Sequence, residues 1–109
     1  MQFIDGGVTA PKGFTANGML CKIKESSTKN DLALVFSEKL CNAAGVFTQN
    51  KVKAESVKLT KENIANGKAQ AVIANSGNAN ACTGEQGAKV ARKMASLAAD
   101  VLGINSGDV

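Results

Sequence analysis

The sequence predicts a layered α/β sandwich with a mixed sheet, and three observations carry that expectation. Asp31-Leu-Ala-Leu-Val-Phe-Ser37 is apolar on both faces, as a central strand must be. Gln70 to Ala74 is a second apolar run, and it opens into the amide-rich loop Asn75-Ser-Gly-Asn-Ala-Asn80. A long amphipathic helix follows that loop, so strand, loop and helix together form half of an α/β unit.

The helix is marked at both ends. Thr83 and Gln86 have the spacing of a capping box, and Gly103 stands where a left-handed C-terminal cap belongs. Val90, Met94, Leu97 and Val101 recur at helical intervals and are expected to face a core, with Ala91, Ala95, Ala98 and Leu102 widening the stripe. Glu85, Lys89, Arg92, Lys93, Ser96 and Asp100 fall mostly on the other side.

Before the central run, Met19, Cys21 and Ile23 alternate with Leu20, Lys22 and Lys24, which predicts a strand over 19–24 paired as a hairpin with residues 31–37. A third strand is expected over Ala43 to Gln49 and a fourth over Ala54 to Leu59. Thr60 would cap a short helix from Lys61 to Asn66, ended by Gly67. The expected inventory is about five strands, one short helix and one long helix, within a single unit spanning residues 1–109 without repeats or linkers.

Composition narrows the function. Thirteen basic and nine acidic residues give a net charge of +4, but the basic ones are scattered and one alone is Arg. Bidentate phosphate and guanine contacts favour Arg, and without Trp or Tyr there is no base-stacking platform, so no nucleic-acid partner is expected. Only four Phe supply aromatic bulk, so the core must rest on small aliphatic residues and is of a kind that often continues into another segment or subunit.

The three cysteines, Cys21, Cys41 and Cys82, are widely spaced and no His exists to complete a zinc set, so no metal is expected. Cys82 precedes a helix N-terminus and could act as a thiolate, yet with no His as base it is expected to be a small buried residue. Glu38, Glu55, Glu62 and Glu85 are isolated and expected to be solvated charges. Neither a P-loop nor a Gly-x-Gly-x-x-Gly fingerprint is present, and no cofactor is expected. The opening residues lack the pattern of a secretion signal and no run is long enough to span a membrane, so the chain is read as cytoplasmic with no membrane partner.

The candidate binding residues are Asn75, Ser76, Asn78 and Asn80, whose amides and hydroxyl would suit a carboxylate, amide or acyl group. The same residue types also stabilise turns by bonding to neighbouring backbone. No catalytic residue is identified.

Four segments together carry a resemblance: Gly7-Val-Thr-Ala-Pro-Lys-Gly-Phe14, Asp31 to Ser37, Ala44-Gly-Val-Phe-Thr48, and Ile73-Ala-Asn-Ser-Gly-Asn-Ala-Asn-Ala-Cys-Thr-Gly84. The chain resembles the amino-terminal part of the bifunctional ornithine acetyltransferase/glutamate N-acetyltransferase family, often called ArgJ. The resemblance implies the amino-terminal segment of a DmpA/ArgJ-like fold, and within it a fragment of an α chain. It further implies acetyl transfer from N2-acetyl-L-ornithine to L-glutamate in arginine biosynthesis, with acetyl-CoA as a donor in many members, through a self-cleaved N-terminal Thr nucleophile. The implied partner is the β chain of the same precursor in an α2β2 heterotetramer. The family's oxyanion Thr-Gly, its substrate-binding Lys and its cleavage Thr have no counterpart in residues 1–109, and Thr83-Gly84 is a helix start rather than that oxyanion pair. The 109 residues alone are therefore expected to be inert. Two alternatives stand beside this expectation: a non-catalytic module binding a small carboxylate or serving assembly, and a related self-processing aminopeptidase.

Overall fold

The central position falls to the run that is apolar on both faces. In the computed structural model, which describes residues 3–109, β2 (Leu32–Asn42) pairs antiparallel with β1 (Phe14–Met19) on one side and β3 (Lys68–Asn75) on the other. Met1 and Gln2, read above as part of a start without a secretion signal, lie outside the described residues. Two helices, α1 (Glu55–Asn63) and α2 (Gly84–Leu102), cover one face of the sheet, and single 3₁₀ turns follow at Ile64–Asn66 and Ser106–Asp108. The layered α/β arrangement is as expected; the described sheet is antiparallel and has three strands rather than about five.

Each departure has a local cause. The strand expected over 19–24 lies earlier, at Phe14–Met19, with Met19 opposite Leu32. Beyond Met19 the N–H groups of Cys21 and Ile23 point to the Asp31 carboxylate, at 2.7 and 2.8 Å, so a side chain takes the place of a partner strand. Ala43 N donates to Gly67 O at 2.9 Å, after which residues 44–49 form no ladder, because the strand they would continue along begins only at Lys68. Ala54 to Leu59 is not a strand either. Glu55 opens α1, which runs straight through Thr60, so Thr60 caps nothing; Gly67 does close the segment in the left-handed conformation, at φ 74°.

The helix layer meets the sheet through alanines. Ala91, Ala95, Ala98 and Ala99 of α2 are buried, as is Ala71 of β3. The stripe expected to face the core is displaced by one residue, about 100° around the helix: Val90, Leu97 and Val101 remain 48%, 51% and 85% exposed. Small residues win the contact because they let the helix backbone come close to the strands, leaving the larger aliphatics on the flank. Of these, Leu97 and Val101 line an open apolar groove of about 470 Å³ with Met19, Leu34, Ile73 and Met94. On the opposite face of the sheet Val72 is 59% exposed.

Candidate functional site at the β3–α2 junction

The loop between β3 and α2 brings together all four candidate residues, and its geometry follows from their short polar side chains. Asn75 Nδ2 donates to the carbonyl of Asn78 at 3.2 Å, and Asn78 Oδ1 accepts from Asn80 N at 3.2 Å. Such side-chain bonds to nearby backbone let a chain turn sharply without secondary structure. Asn80 itself adopts a positive φ of 37°, as does Cys82 at 58°, a conformation Asn tolerates better than most residues.

Asn80 is the hub. Its Nδ2 donates to Gly87 O at 3.0 Å inside the first turns of α2, and its Oδ1 accepts from Thr83 Oγ1 at 2.6 Å. Its carbonyl accepts from Glu55 N at 3.1 Å, which ties the loop to the start of α1. Thr83 therefore spends its hydroxyl on Asn80, and the expected Thr83–Gln86 capping box does not form, although Thr83 is the N-cap residue. At the other end of α2 the expected cap is present: Gly103 is left-handed, at φ 68°, with its N–H bonded to Ala99 O.

Two residues that sequence reasoning missed hold this junction. A Cβ at Gly87 would fall on the Thr83 hydroxyl and crowd Asn80, so the Asn80–Thr83 pair can dock on the helix only because position 87 has no side chain. The signal was available, since Gly inside a helix costs about 1 kcal/mol against Ala and usually has a packing reason. Asp31, 4% exposed, is the second. Its carboxylate gathers Cys21 and Ile23, while its carbonyl accepts from Ser76 N at 2.9 Å, so one residue supports both the β1–β2 loop and the amide loop. A Cβ at Gly77, whose φ is 99°, would crowd Lys24 from the same β1–β2 loop.

The loop's amides are thus largely committed to one another. Ser76 Oγ and Asn78 Nδ2 make none of these bonds, and both residues are exposed, which leaves one hydroxyl and one amide N–H₂ available to an acceptor group. Cys82, expected to be buried, is exposed, and all three cysteines are free. Glu55, expected to be solvated, is buried and paired with Lys58 at 2.6 Å. Glu62 and Arg92 form a two-pronged pair at 3.1 and 2.8 Å that joins α1 to α2 away from the loop. Hydrogen bonding to the Arg92 guanidinium, then its charge, holds the Glu62 carboxyl below the ordinary carboxylate range, and Arg92 is raised in return. Among the described residues there is no cluster of three or more His, Cys, Asp or Glu that could hold a metal, and no helix is long and apolar enough to cross a membrane.

A sheet with helices on one face, and a polar strand-to-helix loop at the end of β3, define a layered α/β unit. The chain belongs to the ArgJ family, which it matches over residues 15–109. It is 52% identical over 109 residues to the arginine biosynthesis bifunctional protein ArgJ of Caldanaerobacter subterraneus subsp. tengcongensis, covering 100% of this chain and 27% of that protein. With the protein of the same name from Symbiobacterium thermophilum it shares 55% identity over 105 residues, 95% of this chain and 26% of that protein. Among solved structures, ArgJ from Bacillus halodurans superposes with a TM-score of 0.90 at 41% identity, over 95% of this chain and 54% of that one. The ornithine acetyltransferase of Mycobacterium tuberculosis, solved in complex with ornithine, superposes with a TM-score of 0.90 at 45% identity, over 94% and 56%. The chain thus spans about a quarter of the length of the curated relatives it matches, and corresponds to their amino-terminal part.

Proposed function

We propose that this chain is the amino-terminal scaffold of a glutamate N-acetyltransferase that moves an acetyl group from N2-acetyl-L-ornithine to L-glutamate. The observation that carries the reading is the 52% identity to a relative whose match covers the whole chain. In this reading the nucleophile is a Thr hydroxyl of a second chain released by self-cleavage. The Thr oxygen takes the acetyl carbon as the amide bond to N2 breaks and ornithine leaves with the proton. The glutamate amine then takes the acetyl group and the Thr hydroxyl is restored.

Residues 1–109 supply none of those reacting groups, so the chain alone is inert. Its part is to hold the Asn75–Asn80 loop rigid at the end of β3, with Ser76 Oγ and Asn78 Nδ2 turned outward toward the active-site region. The partner is the β chain of the same precursor in an α2β2 assembly, in the cytoplasm. The exposure of Val72 on one sheet face and of Leu97 and Val101 on the helix flank supports a covering partner, since apolar area left in water forgoes roughly 25 cal/mol per Å².

The test is a chimera in which this chain replaces the matching 109 residues of the Caldanaerobacter relative. Acetyl transfer from N2-acetylornithine to glutamate by the chimera, and none by the 109 residues alone, is the expected result. Hydrolysis of amino-acid amides without acetyl transfer would replace the reading with an aminopeptidase. For the loop, Asn78→Ala in the chimera is expected to raise KM for at least one substrate several-fold; unchanged KM for both acetylornithine and glutamate would remove its binding role.

A further inference from the structure

Two loops meet at one end of the sheet and bring unspent hydrogen-bond donors together. Asp31 draws the β1–β2 loop inward: its carboxylate accepts from the N–H groups of Cys21 and Ile23 at 2.7 and 2.8 Å, while its carbonyl accepts from Ser76 N at 2.9 Å. The loops touch at Gly77, where a Cβ would stand 3.3 Å from Lys24 Cβ and 3.4 Å from Lys24 N. Lys24 therefore starts beside Ser76 and Asn78, and its flexible four-carbon stem brings the ammonium within reach of both.

Among the described residues the ion pairs are Lys58–Glu55, Lys89–Glu85 and Arg92–Glu62, and Lys24 joins none of them. The Ser76 hydroxyl and Asn78 Nδ2 are likewise unspent, and all three residues are exposed. An ammonium and an amide N–H₂ only donate, and a hydroxyl can donate, so a carboxylate, which only accepts and carries the opposite charge, complements all three. The Asp31 carboxylate is buried and already holds two N–H groups, so it does not compete for the ammonium.

Which carboxylate this is follows from the two substrates of the functional reading above, on which the assignment rests. N2-acetylornithine and glutamate share an α-carboxylate next to the reacting nitrogen, so that group stays with the reacting residues, which in that reading lie outside residues 1–109. The two substrates differ at the far end of the side chain, where ornithine carries an ammonium and glutamate a carboxylate. We propose that Lys24, Ser76 and Asn78 form the subsite for the side-chain carboxylate of the acceptor, and that Lys24 sets the preference for an acidic amino acid. The same ammonium has nothing to offer the ornithine side chain, so its removal leaves the donor no worse bound.

The chimera with the Caldanaerobacter protein provides the test. Lys24→Gln is expected to raise KM for glutamate about tenfold, the scale of one hydrogen bond to a charged group, with kcat nearly unchanged and no rise in KM for N2-acetylornithine. Glutamine, the neutral counterpart of glutamate, supplies a second arm. The preference for glutamate over glutamine as acceptor, read in kcat/KM, should fall about tenfold in Lys24→Gln, and Lys24→Arg should keep most of it. An equal rise in KM for donor and acceptor would reduce Lys24 to a structural role, and an unchanged preference for glutamate would overturn the subsite. If the chimera transfers no acetyl group, the functional reading falls, and calorimetry of glutamate binding to the chimera and to its Lys24→Gln form decides the subsite separately. Binding weakened about tenfold by the substitution keeps the subsite; no binding, or binding indifferent to Lys24, removes it.

Discussion

The polar junction after β3 and the apolar flank of α2 resolve in opposite ways. Around Asn80, the side-chain donors and acceptors find one another within a dozen residues, as far as Gly87, and two backbone bonds tie the loop to the more distant Glu55 and Asp31. On the flank, Leu97 and Val101 remain 51% and 85% exposed, although their spacing is that of a buried stripe. Hydrogen bonds are short-ranged and can be satisfied by a near neighbour in sequence, whereas apolar side chains need volume that a three-stranded sheet and two helices do not supply. The region that looked like a binding site has most of its amides bonded, and the region that looked like core keeps its larger aliphatics exposed.

Filling Gly87 is the most direct way to break the first half of this contrast. Gly87→Ala is expected to destabilise the chain by ~2–3 kcal/mol, the upper part of the range for overpacking, despite the better helix propensity of Ala. Urea unfolding measures it, and a stabilised variant would show that the Asn80–Thr83 pair does not rest on the helix as described. Next in size is Asp31→Asn, which leaves one of the Cys21 and Ile23 N–H groups facing an amide N–H₂; the expected loss is about 1–3 kcal/mol. Amide exchange should quicken at Cys21, Ile23 and Ser76 together, and a response confined to the first two would mean that Asp31 does not couple the two loops.

The apolar flank is expected to answer differently. Leu97→Glu with Val101→Glu should change the stability of the 109 residues by no more than ~0.5 kcal/mol, as exposed substitutions do, while lowering self-association seen by light scattering. A large loss of stability would mean that the flank is covered within this chain. The smallest effect belongs to Glu62–Arg92. The Glu62 carboxyl is depressed below its ordinary 4.5, so its contribution is present above that pH and is lost as pH falls through the lower folded value. Both side chains are exposed and screened by salt. The stability gap between the native chain and Glu62→Gln should be slight at pH 7 and narrow as the solution is acidified below 4.5; a gap that widens would contradict the pairing.

Some of the architecture was legible because the evidence for it is local. β2 and β3 announce themselves by continuous apolar runs, α2 by its length and period, and Gly67 and Gly103 by the left-handed caps that glycine makes easily. The errors arose where a short period admits two answers. Ser56, Val57, Lys58 and Leu59 alternate as a strand would, yet they belong to α1, whose first N–H is held by Asn80. Met19, Cys21 and Ile23 alternate as well, but Asp31 captures two of their N–H groups. In the site, the four candidate residues were found, since short polar side chains in a strand-to-helix loop are visible in sequence. Which of their groups remain available was not, because that depends on Gly87, Asp31 and Glu55 arriving from elsewhere.

By itself, then, the amino-acid sequence determined the family, the two strands that build the sheet's middle and one edge, the long helix and the location of the amide loop. These depend on composition, period and residue identity over a few neighbouring turns. Only the tertiary structure decided that α2 meets the sheet by its alanines and turns its larger aliphatics outward, that Asn80 rather than a capping box starts the helix, and that Gly77 meets the β1–β2 loop. Each of those outcomes is settled by how closely two backbones can approach, and that distance is a property of the assembled layers and not of any one segment.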